Sequence, residues 1–316
     1  MPWTGERSSG PVVVAVAGDG NGEALDWAAA EASARRCRLH VVHVEHMRWA
    51  VDISGLVPVA DLTAYRLVAE QIVRTAADRA RSVAADLEIS GQALFGATVP
   101  ALMSQGVGAQ LLVLGRRRGA SARHRGWPLA AVGGRVAGRA PCPVAIVGSL
   151  SSAPDPGSPP RVVVGVDASE PCPAALEVAF KAAAQRGLSV TAVHAWTPDG
   201  PPGNRPLGRS DDARERRAGL RLERALEPWR TRFTDVRVQT RVSVAEPAAA
   251  LIRESRGAAL VVIGSRRHRW AGASRAASVS RVVAQEARCP VVVVHPEEAT
   301  QRRPAGRRAE EPSGTP

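Results

Sequence analysis

Two segments in the second half of the chain carry residue types that could hold an anionic ligand. Val164-Gly165-Val166-Asp167-Ala168-Ser169 ends an apolar run on a carboxylate and a hydroxyl. Val261-Val262-Ile263-Gly264-Ser265-Arg266-Arg267 ends another on a glycine, a hydroxyl and two guanidinium groups. A carboxylate accepts hydrogen bonds from the hydroxyl or amino groups of a nucleoside. Guanidinium groups and backbone amides grip phosphates. Further along, Ala277-Ser278-Val279 leads into a helix start, where free N–H groups and the helix dipole favour an anion. Each part also has a plainer reading. Asp-x-Ser after a strand caps a helix, and a glycine after a buried strand permits a turn.

Other chemistry is thinly supported. His43 and His194 fall within or at the end of apolar strand-like runs and read as satisfied core histidines. Cys142 and Cys289 precede apolar runs and read as inert packing residues. None of the four cysteines sits in a CxxC pair, so neither a disulfide framework nor a redox motif is indicated. No His/Cys/carboxylate cluster has metal-ligand spacing. No G-x-x-x-x-G-K-[ST] loop or G-x-S-x-G elbow occurs. The expectation is a binding protein and not an enzyme.

The net charge of +12 is localised. Seven arginines and no acid lie between Gln105 and Ala140, and five more with no acid between Gly257 and Gln285. These twelve match the whole excess, and only Lys181 among the cations is a lysine. Two equivalent arginine-rich loops could thus attract anions. Solvated loops in an arginine-rich composition are the bland alternative. Aromatics make up 3% of the chain, too few for base-stacking platforms, so specific nucleic-acid binding is not expected.

The elements that must position these residues are written twice. Val12-Val13-Val14-Ala15-Val16 matches Val162-Val163-Val164-Gly165-Val166, and His43 stands opposite His194. Leu111-Leu112-Val113-Leu114-Gly115 matches Leu260-Val261-Val262-Ile263-Gly264, and Cys142-Pro143-Val144 matches Cys289-Pro290-Val291. The offset stays between 147 and 151, which points to a duplication. Continuous apolar runs alternate with Ala-rich segments, the pattern of parallel strands buried on both faces. In the second copy, helices are expected over Glu170 to Arg186, Asp211 to Arg232 with an interruption near Pro228, from Glu246, and over Ser278 to Glu286. The order β-α-β-α-β-α-β-α-β makes each copy a doubly wound α/β domain with a five-stranded parallel sheet. Its winding reverses between the first and fourth strands, where ligands bind at the carboxyl ends. Residues 1–10 read as a flexible N-terminus, 11–149 as the first domain, 150–160 as a Pro/Ser-rich linker, 161–296 as the second domain and 297–316 as a disordered tail. The N-terminus lacks the pattern of a secretory signal, and a cytoplasmic protein without membrane association is expected.

Each copy resembles a universal stress protein domain. The likeness rests on Val164-Gly165-Val166-Asp167-Ala168-Ser169, Val193-His194-Ala195-Trp196, Gly264-Ser265-Arg266 and the Cys-Pro-Val-x-Val-Val last strand. It covers nearly all of residues 11–149 and 161–295. The resemblance implies a Rossmann-like, adenine nucleotide alpha hydrolase-like sheet with strand order 3-2-1-4-5 that pairs through its last strand. That pairing would form a homodimer or an intramolecular pseudo-dimer. It also implies ATP or a related adenine nucleotide, with Mg, bound through a G-x2-G-x9-G-[ST] pattern and an Asp ending the first strand. Carried over, the second-copy site comprises Asp167, Ser169, Ala195, Gly264, Ser265, Arg266, Arg267, Ala277, Ser278 and Val279. Two of its glycine positions are occupied by Arg267 and Ala277. The first copy has Ala17 in place of the carboxylate and a longer loop without Gly-Ser, so it is not expected to bind ATP in the family manner. Two functions follow: a stress-response regulator binding nucleotide in its second domain, or a nucleotide-free dimeric scaffold that docks an unknown protein partner.

Overall fold

A computed structural model describes residues 10–18, 22–45, 51–52, 55–56, 62–116, 129–148, 159–168, 171–197, 209–265 and 276–295. The expected flexible N-terminus and tail, the bulk of the linker and most of both arginine loops lie outside the described residues. So do Ser169, Arg266 and Arg267. The first half runs β1 (Val12–Val16), α1 (Gly22–Arg35), β2 (Leu39–Glu45), β3 (Val51–Asp52), β4 (Gly55–Leu56), α2 (Leu62–Val83), β5 (Ile89–Phe95), α3 (Thr98–Gln105), β6 (Leu111–Gly115), α4 (Leu129–Ala137) and β7 (Val144–Val147). The second half runs β8 (Arg161–Gly165), α5 (Pro173–Arg186), β9 (Ser189–Trp196), α6 (Arg209–Arg232), β10 (Val238–Val244), α7 (Pro247–Glu254), β11 (Ala258–Gly264), α8 (Ala276–Glu286) and β12 (Val291–Val294).

Apart from the β3–β4 hairpin, each half is the expected doubly wound unit. The spatial orders β5-β2-β1-β6-β7 and β10-β9-β8-β11-β12 are both 3-2-1-4-5. The two sheets are joined. β7 and β12 pair antiparallel, with Val144 opposite Val293 and Ile146 opposite Val291, giving one ten-stranded sheet. Both strands are four residues long and buried throughout. Alone, each would expose an apolar edge; together they close the seam.

Alternate side chains of the strands feed two cores. Val162, Val164 and Val292 pack with α1, α2, α5 and α6, while Val163, Val291 and Val293 pack with α3, α4, α7 and α8. Both cores cross the seam. So does an ion cluster: Glu31 on α1, only 2% exposed, accepts from Arg35 Nε at 2.6 Å and from the Arg186 guanidinium at the end of α5.

Helix bounds differ from the sequence reading at four places. α6 begins at Arg209 rather than Asp211, and α8 at Ala276 rather than Ser278. α5 starts at Pro173, after Cys172 as an extended N-cap, the conformation that a proline favours in the residue before it. α6 is not interrupted by Pro228 but runs on to Arg232. Its last turn is held by Trp229 and Phe233, both packed on Phe180 with ring centroids 5.9 and 5.6 Å away. That packing offsets the backbone bond proline cannot make. α7 begins as expected, with proline in its first turn and Glu246 as N-cap accepting from the Ala249 amide at 2.8 Å.

Candidate functional site

β8 lies between β9 and β11, and Gly165 is level with Val193 on one side and Ile263 on the other. Asp167 follows the end of β8 by two residues and Ser265 follows β11 by one, while Ala195 is the last residue but one of β9. Three of the residues singled out from sequence thus fall at the carboxyl ends of neighbouring strands. They flank the point where the chain leaves toward opposite sides. Gly264 closes β11, and the Ser265 amide donates to the Val294 carbonyl at 2.7 Å, tying this lip to β12. Ala277, Ser278 and Val279 lie in the first turns of α8, whose leading N–H groups have no intrahelical partner. Val279 packs against the apolar core, so it offers a ligand its backbone and not its side chain.

One plainer reading can be decided. The N-cap position of α5 is held by Cys172. Gly264 serves packing: a Cβ there would come 2.7 Å from Cys172 Cβ and 3.0 Å from its Sγ. Glycine is what lets the start of α5 close on the end of β11.

The histidines are satisfied, as expected, and they also position the lip. His194 Nδ1 lies 3.0 Å from the Val166 carbonyl and 3.2 Å from the Ala168 amide. It therefore brackets Asp167 from β9, donating to the carbonyl in one tautomer and accepting from the amide in the other. His43 repeats the device in the first half, 2.9 Å from the Val16 carbonyl through Nδ1 and 3.2 Å from Glu45 Oε2 through Nε2. Their shared place in the repeat was the signal for this role. Beside Ala195, the Arg214 guanidinium of α6 sits 4.3 Å over the ring of Trp196, a buried indole. Sequence reasoning missed Arg214, because the Arg/Glu pattern of α6 reads as a solvated face.

The first half differs at the equivalent place. Ala17 directly follows β1 and Arg116 directly follows β6. No carboxylate stands at the strand end, and Arg116 takes the place of Ser265, its amide donating to the Val147 carbonyl. Cys142 and Cys289 are buried at equivalent places, and burial pushes the Cys289 thiol up to about 12. Among the described residues, no group of three or more His, Cys, Asp or Glu could hold a metal ion, and no helix is long and apolar enough to cross a membrane.

Comparison with known proteins gives one answer. The profile of the universal stress protein family matches residues 9–148 and again 160–295. A universal stress protein of Mycobacterium tuberculosis is 35% identical over 297 residues, spanning 91% of this chain and 97% of its own. A second one from the same organism is 32% identical over 294 residues, spanning 85% and 90%. Among solved structures, a universal stress protein from Archaeoglobus fulgidus superposes with a TM-score of 0.64 at 17% identity, covering 91% of this chain and 97% of that one. This last match bears on the fold alone.

Proposed function

The chain belongs to the universal stress protein family, and from that premise we propose that it is a stress-response regulatory protein whose second half binds ATP or a related adenine nucleotide. The observation that carries the reading is that Ala195, Asp167 and Ser265 fall at the carboxyl ends of three neighbouring strands at the switch point. The residues present fit a nucleotide in type. Asp167 offers acceptors to the nucleoside, and Ala195 a small apolar wall. Ser265 and the leading amides of α8 offer donors to the phosphates. The sequence adds Arg266 and Arg267 directly after Ser265. An arginine in place of the family's second glycine supplies charge where backbone would otherwise approach the phosphate. Any Mg would come with the nucleotide and offset phosphate charge there. The first half, with Ala17 and Arg116 at its strand ends, is read as lacking this site, and the protein as a binder and not a catalyst, working in the cytoplasm.

The test is isothermal calorimetry with ATP on the wild-type chain and on Asp167→Ala. Loss of a hydrogen bond to a charged group weakens binding about 10- to 100-fold. Tight binding untouched by the substitution refutes the pose. A wild-type protein with no thermal shift at millimolar ATP favours the second reading, a scaffold that docks partner proteins without nucleotide. That reading draws on Ala17, Arg267 and Ala277, each a departure from the nucleotide pattern.

A further inference from the structure

The antiparallel seam has a geometric consequence. Because β7 and β12 run in opposite directions, the carboxyl edge of the first half lies beside the amino edge of the second. The C-terminus of α8 arrives at that amino edge before entering β12. Arg116, at the lip of the first half, reaches across the seam to it. Its guanidinium donates through NH1 to the Ala284 carbonyl at 3.2 Å and to the Gln285 carbonyl at 3.0 Å.

These are last-turn carbonyls of a helix ending at Glu286, and the preceding one, Val283, already accepts from the Ala287 amide. A cation at this end also complements the helix dipole. The site is shaped for the guanidinium: a Cβ on Gly148 would lie 2.3 Å from Arg116 Nε. The positive charge is also felt at the buried Cys289 thiol just beyond α8. The equivalent of Arg116 in the second half is Ser265, whose short side chain has no such reach toward α4. Among the described residues the brace therefore runs one way, from the first half to the second.

We propose that Arg116 is a positioning residue through which the first half fixes the pose of α8, and with it the anion-facing N-terminus of the second-half crevice. α8 has 11 residues, so the braced end and the crevice end are about 15 Å apart on one rigid rod. The part concerning nucleotide affinity rests on the function proposed above; the brace itself does not.

The experiment uses the full chain with Arg116→Gln, Arg116→Lys and Gly148→Val, the last displacing only the flexible guanidinium. Hydrogen exchange without nucleotide should show protection across α8 falling about tenfold in Arg116→Gln and Gly148→Val, at both ends of the helix, with α7 unchanged. Arg116→Lys should recover part of it. ATP affinity, read by calorimetry, should weaken about three- to tenfold in the same order of variants. Unchanged protection of α8 overturns the brace. Loss confined to its last turn overturns the transmission, as does lost protection with unaltered ATP affinity. If the wild-type chain binds no ATP, the function proposed above fails while the exchange data still decide the brace.

Discussion

Glu31 gives the sharpest test of how the halves are held together. It is 2% exposed and shared between Arg35 of its own helix and Arg186 of the other half, whose side chains are 16% and 23% exposed. In Glu31→Ala, two guanidinium groups face each other across the seam with nothing between them. Removing one partner of a fully buried pair costs about 3–5 kcal/mol. Partial solvent access to both arginines lowers this to roughly 2–3 kcal/mol. At the usual unfolding entropy per residue, that is a fall in Tm of about 3–4.5 °C for a chain of this length. Glu31→Gln keeps the hydrogen-bond acceptor without the charge and should lose about half as much. Scanning calorimetry reads both, and the Glu31→Ala/Arg186→Ala cycle should show a coupling above about 1 kcal/mol. A Glu31→Ala protein melting within about 1 °C of wild type would refute the claim that this cluster fastens the halves.

Two further outcomes are expected. Gly264→Ala should destabilise by about 1–3 kcal/mol, since its Cβ meets Cys172 at 2.7 Å, and Cys172→Gly should restore most of the loss; chemical denaturation measures both, and a tolerated Gly264→Ala with wild-type stability would contradict the close approach. His40 lies 2.8 Å from Ser90 Oγ, and burial first, then Arg38, hold its pKa below the ordinary 6.5. A lowered histidine pKa contributes stability that is complete above pH 6.5 and is lost as pH falls through the folded value, so Tm should drop as pH falls below 6.5 and His40→Gln should flatten that drop.

The fold was legible because its signals are local and doubled. Runs such as Val162–Val166 and Leu260–Ile263 are apolar without alternation, and only strands covered on both faces tolerate that. Their recurrence at a near-constant offset gave the two units, and the order of elements gave the switch point. The placing of Asp167, Ala195 and Ser265 at the ends of neighbouring strands followed from those two facts. What stayed hidden depends on contacts between distant segments. Nothing in Glu-Ala-Ser-Ala-Arg announces that Glu31 is buried, because its partner Arg186 is 155 residues away. Arg116 was read as one of seven loop cations, and only the antiparallel seam brings it to α8. Pro228 misled for a related reason: the aromatic packing that carries α6 past it comes from α5.

These hidden contacts share a pattern once the repeat is aligned. Glu31 corresponds to Ala182, Arg116 to Ser265 and Ala17 to Asp167, so the copies differ at the seam cluster, the brace and the crevice carboxylate. A dimer of identical chains paired through their last strands would have to carry each of these residues on both sides of its two-fold axis. Two arginine braces would then replace both serines, and one carboxylate at Glu31 could not be shared between Arg35 and Arg186 without a second acid facing it. Joining the halves in one chain removes that constraint. The first half can give up the carboxylate and turn its lip into a support, while the second keeps the carboxylate of Asp167 and the hydroxyl of Ser265 at its strand ends. The asymmetry is therefore best read as a division of labour across the seam and not as decay of one copy.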